Sequence, residues 1–207
     1  MKDLFSVKGK VALVTGGSRG IGEMIAAGYL ANGAKVYISS RKAETCDATA
    51  ERLSKEYEGH CISIPADLSN LDGIAALVSK IKEDEGSLDI LVNNAGASWG
   101  EPIEEYSEKG WDKVMDTNVK GVFFLTQKLL PLLKASGNAE DPARVINIGS
   151  IDGIKTGLFD AFSYGPSKAA LHHLTRVLAA SLVKDHIIVN AIAPGPFPTW
   201  MLSTGVG

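Results

Sequence analysis

Cysteine is scarce in this sequence, and that scarcity limits the kinds of site that the chain can build. Only two of its 207 residues are cysteines, Cys46 and Cys61. Two cysteines cannot form the disulfide framework of a small secreted domain, and neither lies in a cluster with the spacing of metal ligands. We therefore expect a reducing, cytoplasmic environment and no metal site.

The sequence also lacks both a strong charge of one sign and a long apolar segment. Its formal net charge is −3, which gives no reason to expect nucleic acid or an anionic membrane surface as a partner. No apolar run approaches the roughly 20 residues of a membrane span, and residues 1–6 lack the apolar core of a signal peptide. With 45% hydrophobic and 22% charged residues, the chain has the composition of one globular domain with a sizeable core.

Glycine is plentiful, and it is concentrated in residues 15–22, Thr-Gly-Gly-Ser-Arg-Gly-Ile-Gly. The apolar run of residues 11–14 precedes this segment and predicts a buried strand. Helix-forming residues 23–32 follow it. A glycine-rich turn between a strand and a helix is the context of a dinucleotide-binding site. The alternative interpretation is an ordinary turn.

Each glycine of this segment has a physical use in the first interpretation. Gly16 permits a tight turn, and Gly20 lets the backbone approach a pyrophosphate with no Cβ in the way. Gly22 lets the helix pack close to the sheet. The free N–H groups at the start of the helix would then face the phosphates.

Predicted strands and helices alternate along the whole sequence. The strands are Val11–Val14, Lys35–Ser39, Cys61–Ile64, Leu88–Val92, Arg144–Ile148 and Ile187–Ile192, and the helices are Glu23–Asn32, Lys42–Tyr57, Asp72–Glu83, Lys109–Leu133 and Ser163–Lys184. The alternation predicts an α/β fold with a doubly wound parallel sheet, the Rossmann fold, in three α/β/α layers with strand order 3-2-1-4-5-6. Because no linker interrupts it, we expect residues 1–207 to form a single domain.

Polar or conformationally special residues follow all six predicted strands. They are Thr15-Gly16, Ser40-Arg41, Asp67-Leu68, Asn93-Asn94-Ala95-Gly96, Ser150 and Pro194-Gly195. Ligands bind outside the carboxyl ends of the strands in such a sheet. We therefore expect the functional site at this edge.

Tyr164 and Lys168 are four residues apart in a predicted helix, so they share one face. An ammonium group near a phenol favours the phenolate, and we expect Lys168 to lower the pKa of Tyr164. Such a tyrosine is suited to acid–base chemistry near neutral pH. On spacing alone, a solvated surface pair is the alternative.

Together these motifs resemble the short-chain dehydrogenase/reductase family. The resemblance runs from Val11 to Thr199, and it rests on the Gly-x3-Gly-x-Gly spacing, Asn93-Asn94-Ala95-Gly96, Asn118, Ser150, Tyr164-x3-Lys168 and Pro194-Gly195. It implies a dinucleotide-binding and catalytic domain. Family members continue through a substrate-covering segment to a last strand, so the resemblance also implies that residues 1–207 lack that strand.

The resemblance implies catalytic roles for four residues. Tyr164 would donate a proton to a substrate carbonyl, and Lys168 would hold the nicotinamide ribose and tune Tyr164. Ser150 would hydrogen-bond the carbonyl oxygen. Asn118 would hold a water that links Lys168 to solvent.

The resemblance also implies a nicotinamide cofactor. Its contacts would be Gly16, Ser18, Arg19, Gly20, Ile21, Gly22, Ser40, Arg41, Asp67, Leu68, Asn94, Ala95, Gly96, Tyr164, Lys168, Pro194, Gly195, Phe197 and Thr199. An acid after the second strand would bind the ribose 2′-hydroxyl of NAD and repel a 2′-phosphate. Ser40 is neutral there, and the guanidinium groups of Arg41 and Arg19 suit a phosphate, so we expect NADP(H).

The expected substrate is a small-molecule carbonyl compound. Residues 98–100, 138–144 and 164–172 resemble the 3-oxoacyl reductases of rhamnolipid synthesis, which suggests a 3-oxoacyl thioester or another β-keto compound. Trp99 either lines a substrate pocket or packs a loop. Leu158, Phe159 and Phe162 would form an apolar wall of the pocket. Two alternatives stay open, namely an NAD(P)-dependent alcohol or sugar dehydrogenase and a non-catalytic protein that senses NADP(H).

The resemblance further implies a homotetramer or homodimer, in which the helices after strands four and five pack across an interface. Burial against the sheet explains the apolar positions of those helices equally well. On the second of these helices, His172 and His173 are expected at the surface or at an interface rather than in the chemistry.

Overall fold

Six parallel strands form one sheet in the computed structural model, which describes residues 5–156 and 160–197. The strands are β1 (Val11–Thr15), β2 (Lys35–Ser39), β3 (Cys61–Ser63), β4 (Ile90–Asn93), β5 (Ala143–Ile148) and β6 (Ile187–Ile192). Their spatial order is β3-β2-β1-β4-β5-β6. The predicted fold class and strand order are confirmed, and the carboxyl ends of all six strands lie at one edge.

Six α-helices of eight or more residues connect the strands in the described part of the chain. They are α1 (Gly20–Ala31), α2 (Ala43–Glu56), α3 (Leu71–Asp84), α4 (Glu108–Met115), α5 (Gly121–Ser136) and α6 (Tyr164–Leu182). None of the helices in these residues is both long and apolar enough to cross a membrane.

Helices cover both faces of the sheet and give two hydrophobic cores. On one face, α1 and α2 pack on β1 and β2 through residues such as Leu30, Leu53 and Val36. On the other face, α3, α5 and α6 pack on the strands through residues such as Leu77 and Leu129. Because both faces are buried, β1 is apolar at successive positions rather than at alternate ones.

The structure is helical throughout the predicted helix 109–133, and a π-helical turn at Asp116–Lys120 divides it into α4 and α5. A π turn holds one residue more than an α turn, so it rotates the apolar stripe of α5 relative to α4 by about a quarter of a turn. Asn118 lies in this turn with only 1% of its surface exposed. Gly121 follows, where a Cβ would overlap the Leu68 carbonyl oxygen. The turn therefore brings the start of α5 against the segment that follows β3.

Candidate active site

The glycine-rich segment after β1 forms a tight turn that a larger residue could not make. Gly16 and Gly20 have φ angles of +64° and +58°, in the left-handed region that favours glycine. A Cβ on Gly22 would overlap the carbonyl oxygen of Gly16, and a Cβ on Gly16 would lie 2.8 Å from Asn94 Nδ2. The start of α1 therefore lies directly against this turn.

Asn94, from the segment after β4, holds the glycine turn in place. Its Nδ2 donates to the carbonyl oxygens of Thr15 and Gly16, at 2.9 and 3.3 Å. Thr15 Oγ1 in return accepts the N–H groups of Asn94 and Ala95, both at 3.0 Å. Sequence reasoning used Thr15 only as part of the motif and missed this clamp between two strand ends.

The segment that follows β2 carries hydroxyl and guanidinium groups. Among the described residues, the buried hydroxyls of Ser39 and Ser40 have no hydrogen-bond partner. Arg41, the next residue, is exposed, as is Arg19 in the glycine turn. The end of β2 therefore presents donors and no carboxylate.

The predicted contacts after β3 and β6 are placed at the same edge of the sheet. Asp67 Oδ1 accepts the N–H and the hydroxyl of Ser69, at 3.0 and 2.8 Å, which gives this carboxylate a turn-forming contact as well. The Pro194 carbonyl accepts the N–H of Ile151 at 3.1 Å. Phe197 is largely exposed. The predicted contact Thr199 and the predicted pocket residues 158 and 159 lie outside the described residues.

Lys168 is almost completely buried, with 4% of its surface exposed. Its Nζ donates to the carbonyl oxygen of Ile148 at 2.8 Å and lies 5.6 Å from the centroid of the Tyr164 ring. Burial lowers the pKa of Lys168 to about 8. This lysine therefore loses and gains a proton near the pH of the cell.

The pKa of Tyr164 shifts in the direction opposite to our prediction. Burial raises the pKa of Tyr164, a hydrogen bond with Ser150 lowers it, and the charge of Asp152 raises it further. The charge of Lys168 is not among the causes of this shift, and its ammonium group donates to the Ile148 carbonyl. The predicted lowering by Lys168 is wrong, and the buried phenol stays protonated at neutral pH.

The buried charge of Lys168 predicts a specific dependence of stability on pH. The pKa of Lys168 is about 8 in the folded protein, against the ordinary value of 10.5. Between these pH values the unfolded chain binds more protons, so the free energy of unfolding rises with pH. Urea unfolding of the wild type should gain roughly 1–2 kcal/mol over Lys168→Met between about pH 7 and pH 9.5. Lys184→Met, at an exposed lysine, should keep the wild-type pH dependence, and a constant difference between wild type and Lys168→Met would contradict the expectation.

Asn118 connects the segment after β4 to α6. Its Nδ2 donates to the Ala97 carbonyl and to Ser167 Oγ, both at 2.9 Å, and its Oδ1 accepts the Ala97 N–H at 2.8 Å. A Cβ on Gly96 would lie 3.6 Å from Lys168 Nζ. Both amide hydrogens of Asn118 are thus used in holding this segment beside Lys168, so any water bound by Asn118 must use its oxygen atoms.

Comparison with known proteins identifies the family. The model of the short chain dehydrogenase family matches residues 10–205. The chain belongs to the short-chain dehydrogenase family. The family predicted from the motifs is therefore confirmed, and with it the assignment of the chain as an oxidoreductase.

Individual relatives of this short-chain dehydrogenase act on different compounds. A rhamnolipids biosynthesis 3-oxoacyl-acyl-carrier-protein reductase of Pseudomonas aeruginosa is 57% identical over 201 residues, 97% of this chain and 78% of that protein. The gluconate 5-dehydrogenase of Gluconobacter oxydans is 37% identical over 202 residues, 96% of this chain and 75% of that protein. The solved RhlG/NADP active-site complex of Pseudomonas aeruginosa has a TM-score of 0.94 at 56% identity, covering 99% of this chain and 79% of that chain.

Three further contacts of the short-chain dehydrogenase site were not predicted from the sequence. The hydroxyl of Tyr106 donates to the Trp99 carbonyl at 3.1 Å and lies 2.6 Å from Ser163 Oγ, so it ties the segment after β4 to the residue before Tyr164. Trp99 itself packs so closely on Gly110 that a Cβ there would overlap its indole ring. Trp99 therefore packs the segment after β4 against α4.

A buried polar chain crosses the core beneath the same edge. Asn93 Nδ2 donates to Asn147 Oδ1 at 2.9 Å and to Thr126 Oγ1 at 3.2 Å. Asn147 Nδ2 donates to Thr175 Oγ1 at 2.9 Å. The chain joins β4 and β5 to α5 and α6, and only Asn93 belonged to a motif that the sequence made visible.

His172 is only partly exposed in this short-chain dehydrogenase. Its side chain is half-buried against the segment after β5, and its Nε2 atom is fully buried. His173, in contrast, is exposed as expected. Helical spacing did place His172 four residues after Lys168, on the face that meets the site.

Proposed function

We propose that this protein reduces a carbonyl group with NADPH. The observation that carries the proposal is the meeting of Ser150, Tyr164 and Lys168 at the sheet edge where the glycine turn lies. A non-catalytic, NADP(H)-sensing role has less support, because the complete set of acid–base residues is present.

The residues at the glycine turn and after β2 fit a phosphorylated dinucleotide. Gly16 and Gly22 keep the turn tight, since a Cβ on either would overlap protein atoms of the turn or of Asn94, and α1 begins beside the turn with its free N–H groups. The buried hydroxyl of Ser40 lacks a partner among the described residues, and the exposed Arg41 follows it. A 2′-phosphate would accept hydrogen bonds from both groups, whereas a 2′-hydroxyl would leave the guanidinium without a matching anion.

Tyr164 is the proposed proton donor. When bound, the reduced nicotinamide supplies the hydride that the carbonyl carbon receives. Tyr164 gives its proton to the carbonyl oxygen, and the Ser150 hydroxyl hydrogen-bonds the same oxygen. Burial keeps Tyr164 protonated by raising its pKa, and Lys168 and Asn118 would return a proton from solvent afterwards.

A 3-oxoacyl thioester is the proposed substrate class. The reductase from Pseudomonas aeruginosa, at 57% identity, supports this choice more strongly than the gluconate 5-dehydrogenase at 37%. The residues of the predicted apolar pocket that the structure describes include Phe162, which packs edge-on against Tyr106 at 5.5 Å between ring centroids. An apolar wall of this kind suits an acyl chain better than a sugar acid.

The proposal also covers the location of the protein, its oligomeric state and its domain organisation. We place the protein in the cytoplasm, where its two free, buried cysteines stay reduced. We propose a homotetramer or homodimer, since Phe123 on α5 and Val177 on α6 leave apolar surface exposed. Residues 1–207 would form one dinucleotide-binding and catalytic domain.

The loss of NADPH absorbance with an acetoacetyl thioester tests the proposed function. We expect turnover with NADPH and a kcat/KM about 10²-fold lower with NADH, because NADH lacks the phosphate that Ser40 and Arg41 would bind. Gluconate with NAD or NADP serves as the comparison substrate. Faster oxidation of gluconate would favour a sugar dehydrogenase, and binding of NADPH without any turnover would favour the sensing role.

A further inference from the structure

Helix α6 presents three functional groups along one face. Tyr164, Lys168 and His172 are spaced by four residues, so each lies about one turn beyond the last. The turn that carries Ser150, residues 149–153, packs on this same face. The third group, His172, has no part in the chemistry described above.

The imidazole of His172 lies directly beneath Gly149. A Cβ on Gly149 would overlap His172 Nε2 and would lie 2.6 Å from its Cδ2. Because that Cβ would replace a hydrogen, one Cα–H bond of Gly149 points at Nε2. Only glycine leaves space for the ring here, so Gly149 and His172 form a matched pair.

The same imidazole binds the far end of the turn. Burial, then the charges of Lys168 and Arg176, lower the pKa of His172 and keep the ring neutral, while a hydrogen bond with the backbone of Gly153 raises it. A bond that raises the pKa of histidine is one that the ring donates, so we assign the Gly153 carbonyl as its acceptor. Since Nε2 has no partner among the described residues, we assign Nδ1 as the donor. A neutral ring with its proton on Nδ1 satisfies both contacts.

The backbone of the turn is anchored on two sides. The Gly149 N–H donates to the Ile192 carbonyl of β6 at 2.7 Å. A Cβ on Gly153 would lie 2.6 Å from the Lys168 carbonyl carbon and 2.7 Å from the Ala169 nitrogen, so this glycine rests on the backbone of α6. His172 fills the space between these anchors, under the residue that precedes Ser150.

We propose that His172 is a positioning residue, which supports the turn 149–153 from below and so holds the Ser150 hydroxyl in place beside Tyr164. The kinetic measurements that test this role rest on the carbonyl reduction proposed above. The hydrogen-exchange measurement of the turn does not depend on activity.

His172→Leu removes the donor at similar volume, and His172→Asn places an amide N–H near the position of Nδ1. We expect kcat to fall about tenfold in His172→Leu, to recover most of that loss in His172→Asn, and to stay unchanged in the exposed control His173→Leu. The dissociation constant of NADPH should change less than twofold in all three. In Ser150→Ala, where the positioned hydroxyl is gone, adding His172→Leu should lower kcat less than twofold further.

A second measurement, the pH–rate profile, reports the pKa of Tyr164. Because the Ser150 hydrogen bond lowers the pKa of Tyr164, His172→Leu should move the alkaline limb of the pH–rate profile upward, as Ser150→Ala does. If His172 only stabilised the fold as a whole, its substitution would not shift the alkaline limb.

Amide hydrogen exchange of residues 149–153 tests the positioning without any substrate. We expect exchange about tenfold faster in His172→Leu than in wild type, and no change in His173→Leu. An unchanged exchange rate, or an equal loss of kcat with and without Ser150, would overturn the proposal for His172. A wild type that turns over no carbonyl compound would contradict the proposed function alone, since the exchange experiment would still decide the role of His172.

Discussion

Tyr164→Phe is expected to lower kcat for carbonyl reduction by about 10³-fold, within the 10²–10⁴-fold contribution of a positioned general acid. The substitution removes one hydroxyl and keeps the ring that packs at the start of α6. Without the phenol, the developing negative charge on the carbonyl oxygen meets only the Ser150 hydroxyl. The dissociation constant of NADPH should change little, because the loss concerns proton transfer.

The test compares initial rates of NADPH oxidation with an acetoacetyl thioester and NADPH affinity by fluorescence titration. Tyr57→Phe, at the end of α2 and away from the sheet edge, is the matched control and should keep wild-type kcat. Wild-type activity should fall as the pH rises through the raised pKa of Tyr164, because the protonated phenol is the active form. A variant that retained more than a tenth of wild-type kcat would remove Tyr164 from the proposed role.

Ser40→Asp is expected to reverse the cofactor preference. A carboxylate at this position repels a 2′-phosphate and accepts a hydrogen bond from a 2′-hydroxyl. We expect kcat/KM for NADPH to fall by about 10²–10³-fold, as two or three charge-assisted contacts are lost, and kcat/KM for NADH to rise. The comparison is made at constant ionic strength, because salt screens the exposed guanidinium group.

Two further variants separate the contributions that residues after β2 make to cofactor preference. Arg41→Ala should weaken the binding of NADPH about tenfold and leave the binding of NADH unchanged, because only the phosphate contact is removed. Arg52→Ala, at an exposed arginine of α2 that pairs with Glu23 and Glu56, should affect neither cofactor. Equal effects of Ser40→Asp on both cofactors would show that the residue after β2 does not recognise the 2′-position.

The helix over residues 109–133 contains a π turn that the periodicity of the sequence could not predict. Both α4 and α5 have apolar faces, and a period of 3.6 residues fits each of them. A π turn adds one residue to the helix, but no residue type marks it in a sequence. The spacing of apolar residues therefore predicts one uninterrupted helix. The turn is decided by packing, since it buries Asn118 between Ala97 and Ser167 and seats Gly121 against Leu68.

The pKa of Tyr164 marks a second limit. Four-residue spacing correctly indicates that Tyr164 and Lys168 share a helix face, but it contains nothing about burial. The structure buries both groups, and burial raises the pKa of Tyr164 and lowers the pKa of Lys168. The Lys168 ammonium donates to the Ile148 carbonyl at 2.8 Å. The direction of such a shift depends on surroundings that come from distant parts of the chain.

The sequence by itself determined the family, the doubly wound sheet with its strand order, and the edge at which polar residues gather. Those features follow from local patterns, namely apolar runs, glycine spacing and residues that end strands. Only the tertiary structure decided which groups touch there: Asn94 on the glycine turn, Tyr106 on Ser163, and His172 under Gly149. The physical reason is that these contacts join residues from 23 to 78 positions apart on different elements, and their geometry exists only once the helices have packed on the sheet.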